Sequence, residues 1–222
     1  MAVLEAEIAH GLDCEWNYPI EIEEMEPQME WLLQHLPGTS LKSVRLDYTM
    51  SRPAELGKAL KVVGAPSVIS AQRGNSPDAL VDFLEGLAPN SSLEQLYIFN
   101  VSLPDTVCPV LGGYGNLKAL AIVPWDISGE NFPILKRLES LDLNSSPITN
   151  AGLERILQLP SLSGLSIESD HLTLDGIRNM KVLNSNLKDI NIPIISFSTP
   201  DTVAAEEALR RNCPHASIDV SN

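Results

Sequence analysis

The residues of this 222-residue chain that could do chemistry are few and scattered. Asp170 and His171 adjoin, with Glu168 just before them. A carboxylate beside an imidazole could hold a divalent metal or pass a proton. Their setting reads otherwise: they follow the alternating stretch Leu165-Ser166-Ile167 and precede Leu172, which predicts a solvated loop at the end of a strand. His10, His35 and His215 are isolated and complete no catalytic spacing. Cys14, Cys108 and Cys213 are far apart and odd in number, and no C-x-x-C pair occurs, so neither a zinc site nor a disulfide framework is indicated. Cys108, among Val107, Pro109 and Val110, reads as a buried thiol in a short helix rather than a nucleophile. No glycine-rich phosphate loop and no G-x-S-x-G elbow is present. The expectation is a protein that is not an enzyme and uses no cofactor and no metal.

Composition narrows the partners. Asp and Glu number 29 against 15 Lys and Arg, giving a net charge of −14 and a pI near 4.6. That balance opposes a phosphate backbone, which needs clustered cations, and an anionic membrane surface. The densest acidic run, residues 21–26, reads as the solvated edge of a first coil, with a dock for a basic partner as the sharper alternative. The opening residues lack a basic start and a long apolar run, so no secretory signal or membrane span is expected and the location reads as cytoplasmic.

What the chain does carry is a repeated phrase. Leu93-Glu94-Gln95-Leu96-Tyr97-Ile98 returns with first leucines at Leu117, Leu138, Leu162 and Leu187, at steps of 24, 21, 24 and 25 residues. A further apolar anchor falls ten residues after each first leucine, at Leu103, Ile127, Ile148, Leu172 and Phe197. L-x-x-L-x-L at a period of about 20–29 residues is the leucine-rich-repeat signature. Leu41-Lys42-Ser43-Val44-Arg45-Leu46 fits the same phrase. Degenerate copies fit at Asn17…Ile20…Ile22, Ala65…Val68…Ser70 and His215…Ile218…Val220. Helical spacing of apolar residues between the phrases predicts helices over 30–36, 53–63, 79–87, 149–158 and 203–211. In the last, Ala204, Ala208 and Leu209 are expected to face inward. Pro77-Asp78 and Pro200-Asp201 are sensible helix starts. The expected fold is an α/β leucine-rich-repeat solenoid, a right-handed horseshoe with a parallel concave sheet and short convex helices. It forms one domain over 1–222, of roughly eight to nine repeats, degenerate at both ends.

The clearest unit, residues 138–159, contains Ile148-Thr149-Asn150-Ala151-Gly152-Leu153. It resembles the ribonuclease-inhibitor-like and F-box-type (cysteine-containing) repeats, where the strand leads into an I-T-[ND]-x-G-L segment. Leu172-Thr173-Leu174-Asp175-Gly176-Ile177 repeats that ending, and the Asn212-Cys213-Pro214 turn is similar to that subclass. The resemblance implies protein binding, in a first version as the recognition subunit of a ubiquitin-ligase-type complex. A bacterial leucine-rich-repeat protein or effector acting on a host protein is the alternative. An enzyme using the Asp170-His171 region is the alternative of a different class. Two departures stand out. The ninth position of the phrase, Asn or Cys in the family, holds Val101, Trp125, Ser146, Asp170 and Ile195. No F-box is recognisable before the first coil, so a ligase receptor would have its adaptor elsewhere or would have lost it.

In a strand alternate residues share a face, so the residues between the leucines line the concave surface. Its centre is expected to be Tyr97, Phe99, Ala119, Ala121 and Val123, with Trp125 just beyond the strand and Ile69 at the margin. Arg45 and Asp47 flank one side; Ser140, Asp142, Asn144, Ser166, Glu168, Asp189 and Asn191 flank the other. An aromatic centre with a polar rim is how interfaces are built. The predicted partner-binding set is Tyr97, Phe99, Val123, Trp125, Arg45, Asp47, Asp142, Asn144 and Glu168. Coverage of these residues within the protein, or a register slip near Pro124, is the competing reading.

Overall fold

The structure, a computed structural model, describes residues 43–46, 50, 52–62, 68–71, 76–89, 92–193 and 197–220. The coil expected at 17–22, the acidic run at 21–26, the helix at 30–36, Asp47 and Ile195 lie outside the described residues. Among the described residues eight strands form one sheet in chain order: β1 (Ser43–Leu46), β2 (Val68–Ala71), β3 (Gln95–Pro104), β4 (Ala119–Asp126), β5 (Ser140–Asp142), β6 (Gly164–Ser166), β7 (Asp189–Asn191) and β8 (Ser217–Asp219). Every neighbouring pair is parallel. Parallel neighbours need a crossover, and each unit supplies one. Helices α1 (Pro53–Val62), α2 (Pro77–Leu87), α3 (Cys108–Leu111), α4 (Asn150–Ile156), α5 (Leu174–Asn179) and α6 (Thr199–Asn212) fill six of them. The β4–β5 connection is instead an irregular loop that buries Ile127, Phe132 and Leu135. One strand per coil, laid side by side in sequence order, makes the chain an α/β leucine-rich-repeat solenoid.

Burial sets the register. Val44, Ile69, Leu96, Leu120, Leu141, Leu165, Ile190 and Ile218 pair along one row of the sheet. From Ile69 onward none of these side chains is more than 8% exposed. The second anchors, Leu103, Ile127, Ile148 and Leu172, are buried, and Phe197 packs against the same core. Because strand side chains have period two, a shift of one residue would turn the whole set outward.

Three expectations are corrected. In β2 the expected Val68…Ser70 copy is displaced: Ile69 and Ala71 are the buried residues, and Ile69 pairs with Leu96, so it does not border the concave face. Val68 and Ile69 are both apolar, and only the stacking of neighbouring coils decides between them. In α6 the buried residues are Thr202, Ala205, Ala208 and Leu209, with Ala204 only half-buried. Three-residue steps put 202, 205 and 208 on one face of a helix. The third correction, at Trp125, belongs to the concave site below.

The helix starts explain the I-T-x-x-G segment. Thr149 and Thr173 cap α4 and α5, each hydroxyl accepting from the backbone N–H three residues on, Gly152 and Gly176, at 3.1 Å. A Cβ on Gly152 would stand 1.9 Å from the Ser128 carbonyl of the previous coil, so only glycine lets the coils approach there. Between the coils the polar contacts come in small pieces. Ser146 Oγ accepts from the Trp125 backbone N–H, and Ser169 Oγ donates to the Ile148 carbonyl. Asn150 exchanges two bonds with Thr173, from its amide to the hydroxyl and to its Oδ1 from the backbone N–H. Buried Asn184 donates to the carbonyls of Leu157 and Leu159 and accepts from the N–H groups of Asn186 and Leu187, tying its own turn to the preceding one. Such saturation lets a polar group lie inside at little cost.

Candidate concave binding site

The open face of the sheet is built from the residues that alternate with the buried ladder. Arg45, Ser70, Tyr97, Ala121, Asp142, Ser166, Asn191 and Asp219 share one row. Gln95, Ala119, Ser140, Gly164, Asp189 and Ser217 share the row beside it. Phe99 pairs with Val123 in a third.

Tyr97 and Phe99 are half-buried and stack nearly parallel, with ring centroids 6.5 Å apart at 5°. The Tyr97 hydroxyl donates to Gln95 Oε1 at 3.0 Å, which fixes the ring along its own strand. Val123 is half-buried beside them, and Ala121 is 5% exposed, so the floor next to Tyr97 is small and apolar. From β5 onward the face turns polar. Asp142 Oδ1 accepts the backbone N–H of Asn144, Ser166 donates to Asn144 Oδ1, and Asn191 Nδ2 donates to Ser166 Oγ at 3.4 Å. Asp142, Asn144 and Glu168 are half-buried, and Asp189 and Asp219 are exposed.

Trp125 is not on this face. It is fully buried, packs edge-on against Phe132, and its indole Nε1 has no hydrogen-bond partner among the described residues. Strand alternation breaks near Pro124: Val123 is half-buried, yet Trp125, two residues on, is fully buried. The pairing shifts at the same place, with Phe99 opposite Val123 and Leu103 opposite Trp125, so β3 uses four residues where β4 uses two. Asn100, at φ 62°, resets the phase of β3, and Trp125 lands opposite a core anchor. The signal was in the sequence. Trp125 occupies the ninth position of its phrase, and Val101 and Ser146 at the same position are also buried.

The other chemical candidates separate. Asp170 and His171 sit at a loop tip, with side chains 84% and 57% exposed and Oδ1 3.6 Å from Nε2. The His171 backbone N–H is held by Ser169 Oγ. Among the described residues no group of three or more His, Cys, Asp or Glu is placed to hold a metal ion. Cys108 and Cys213 are buried and unpaired. Burial pushes the Cys108 thiol up to about 12, helped by the charge and hydrogen bond of Asp105. Burial likewise pushes Cys213 up to about 11, partly offset by a bond from the Asn184 backbone. A thiol so disposed stays protonated and is a poor nucleophile. Among the described residues no helix is long and apolar enough to cross a membrane.

No family model matches the chain, and no curated protein matches it. Among solved structures it is similar to a leucine-rich-repeat protein of Leptospira interrogans, at 17% identity and a TM-score of 0.47, covering 81% of this chain and 55% of that one. It is also similar to an internalin of Listeria monocytogenes, at 17% identity and a TM-score of 0.41, covering 72% of this chain and 48% of that one. The chain thus spans about half the length of these proteins.

Proposed function

We propose that this chain is a non-catalytic protein-interaction module that holds its partner on the concave face, centred on Tyr97, Phe99 and Val123. The observation that supports it is the half-exposed, parallel Tyr97–Phe99 pair on an open sheet face. Aromatic side chains supply large contact area at low entropic cost and dominate interface energetics. Asp142, Asn144 and Glu168 form the polar rim, and Arg45 lies in the same row on the opposite side. Trp125 leaves the binding set and joins the core.

Within this reading the recognition subunit of a ubiquitin-ligase-type complex comes first, on the I-T-N-A-G-L resemblance of residues 148–153. A bacterial effector that holds a host protein would use the same face. An adaptor domain in the full-length gene favours the first, and a neighbouring secretion locus the second. The test of the shared core is quantitative. A partner captured from the native cell should lose about 2 kcal/mol or more of binding to Tyr97→Ala or Phe99→Ala, the range of interface hot spots. Undiminished binding by the double variant overturns the concave centre.

A further inference from the structure

The concave face changes chemistry within a single strand step. Along the row of Tyr97 the residues run Tyr97, Ala121, then Asp142, Ser166, Asn191 and Asp219. Over β5 to β8 this row and its neighbour enclose a shallow trough of about 440 Å³, with Ser140, Asp142, Gly164, Ser166, Asp189 and Asp219 in its wall and, among the described residues, no basic side chain. Its floor is open at Gly164, where an added Cβ would meet nothing nearer than Ser140 Oγ at 4.0 Å. Asp189 and Asp219 are exposed, and their carboxylates have no hydrogen-bond or ion-pair partner among the described residues. Carboxylates lining one concavity repel each other and focus a negative potential that draws in cations. The apolar half and the acidic half are continuous parts of one sheet.

We infer that the concave face takes a linear protein segment in which an apolar residue seats on Tyr97 and Phe99 and Lys or Arg residues enter the trough over β5 to β8. This deepens the concave-face reading and rests on it. The occupant follows from charge complementarity. A long basic side chain reaches a recessed floor while its stem lies along apolar surface, and it places its charge among Asp142, Asp189 and Asp219. The spacing follows from the sheet. Neighbouring strands lie about 4.8 Å apart and an extended chain advances about 3.3 Å per residue, so the basic residues fall about three to seven positions from the apolar anchor.

The probe is a fluorescein-labelled synthetic peptide with leucines at one end and arginines beginning three positions further on. Its partner probe carries glutamate for every arginine. Binding to the full chain is followed by anisotropy at low and moderate salt. The trough variant combines Asp142→Asn, Asp189→Asn and Asp219→Asn. A control variant, Glu85→Gln, Asp175→Asn and Glu207→Gln, removes the same charge from exposed convex helix positions. Circular dichroism confirms that each variant is folded. The arginine peptide should bind, weaken at least tenfold in the trough variant and with added salt, and be unaffected by the control variant; the glutamate peptide should not bind. Equal loss in both triple variants reduces the effect to net charge and overturns the trough. Binding that resists the trough variant but falls with Tyr97→Ala overturns the trough and leaves the concave face standing. Binding that resists both removes the two readings together. Self-association of the chain that the trough variant abolishes makes a second copy the occupant and overturns the linear segment.

Discussion

The indole of Trp125 packs edge-on against the ring of Phe132, centroids 5.8 Å apart at 61°, with both side chains sealed from solvent. The pair fills the coil between β4 and β5, which has no helix to cover it. Trp125→Ala should therefore cost about 3–5 kcal/mol, the range for removing a buried large aromatic. Trp125→Phe should cost less than half of that, because most of the apolar volume stays and the lost Nε1 donor has no partner among the described residues. Tyr97→Ala, on the open face, should cost far less than Trp125→Ala. Urea unfolding followed by circular dichroism compares them; equal losses for Trp125→Ala and Tyr97→Ala would sink the division between core and face.

How much of this was legible in the sequence depends on what fixes each residue. The ladder Leu96, Leu120, Leu141, Leu165, Ile190 could be read directly, because a period near 24 with strand alternation leaves one inward choice at each step. At Val68 and Ile69 two apolar neighbours leave both choices open, and the adjacent coils settle it. At Trp125 alternation gives the wrong face, because β4 loses its period of two between Val123 and Trp125. Tyr97, Phe99 and Asp142 were placed on the open face from alternation alone. The trough was not visible, since its depth comes from small side chains such as Gly164 and Ser166 meeting across coils 24 to 28 residues apart.

Leu141 is 1% exposed and lies mid-sheet between Leu120 and Leu165, while its neighbour Ser140 is exposed. Coils on both sides prevent collapse around a deleted side chain. Leu141→Ala should cost about 2–5 kcal/mol, and Ser140→Ala should stay within about 0.5 kcal/mol. Denaturant midpoints of the two variants decide it, and comparable losses would mean that β5 is out of register.

Gly152 tests whether the spacing between coils is set by backbone contact. Alanine in a helix is ordinarily worth about 1 kcal/mol over glycine. Here the added Cβ would meet the Ser128 carbonyl oxygen at 1.9 Å and Gly129 Cα at 2.9 Å, both backbone atoms that cannot swing away. The clash should outweigh propensity, and Gly152→Ala should destabilise by about 1–3 kcal/mol or more. Gly115, with nothing within 4 Å of its virtual Cβ, is the control, and its alanine variant should be near neutral. A Gly152→Ala protein as stable as the parent would show that the coils are not in contact there.

The buried thiols make an alkaline prediction whose sign can be worked out. In the unfolded chain a cysteine loses its proton near the ordinary value of 9.0, whereas burial holds Cys213 protonated to about 11 and Cys108 to about 12. Below pH 9 both states keep the proton and the thiols leave stability unchanged. Above it the native state binds more protons than the unfolded state, so stability falls with rising pH until the native thiols also ionise. Tyr114 is likewise held protonated by burial, from an ordinary value of 10.0, and so adds to the fall at higher pH. The clean window is therefore pH 9 to 10. There, unfolding free energy should decline more steeply in the parent than in a Cys108→Ala, Cys213→Ala variant, whatever the variant's absolute stability. Iodoacetamide at mildly alkaline pH should label Cys108 and Cys213 only after denaturant is added, as peptide mass mapping would show. Equal slopes in the two proteins, or labelling of the native fold, would mean that these thiols are not held in the core.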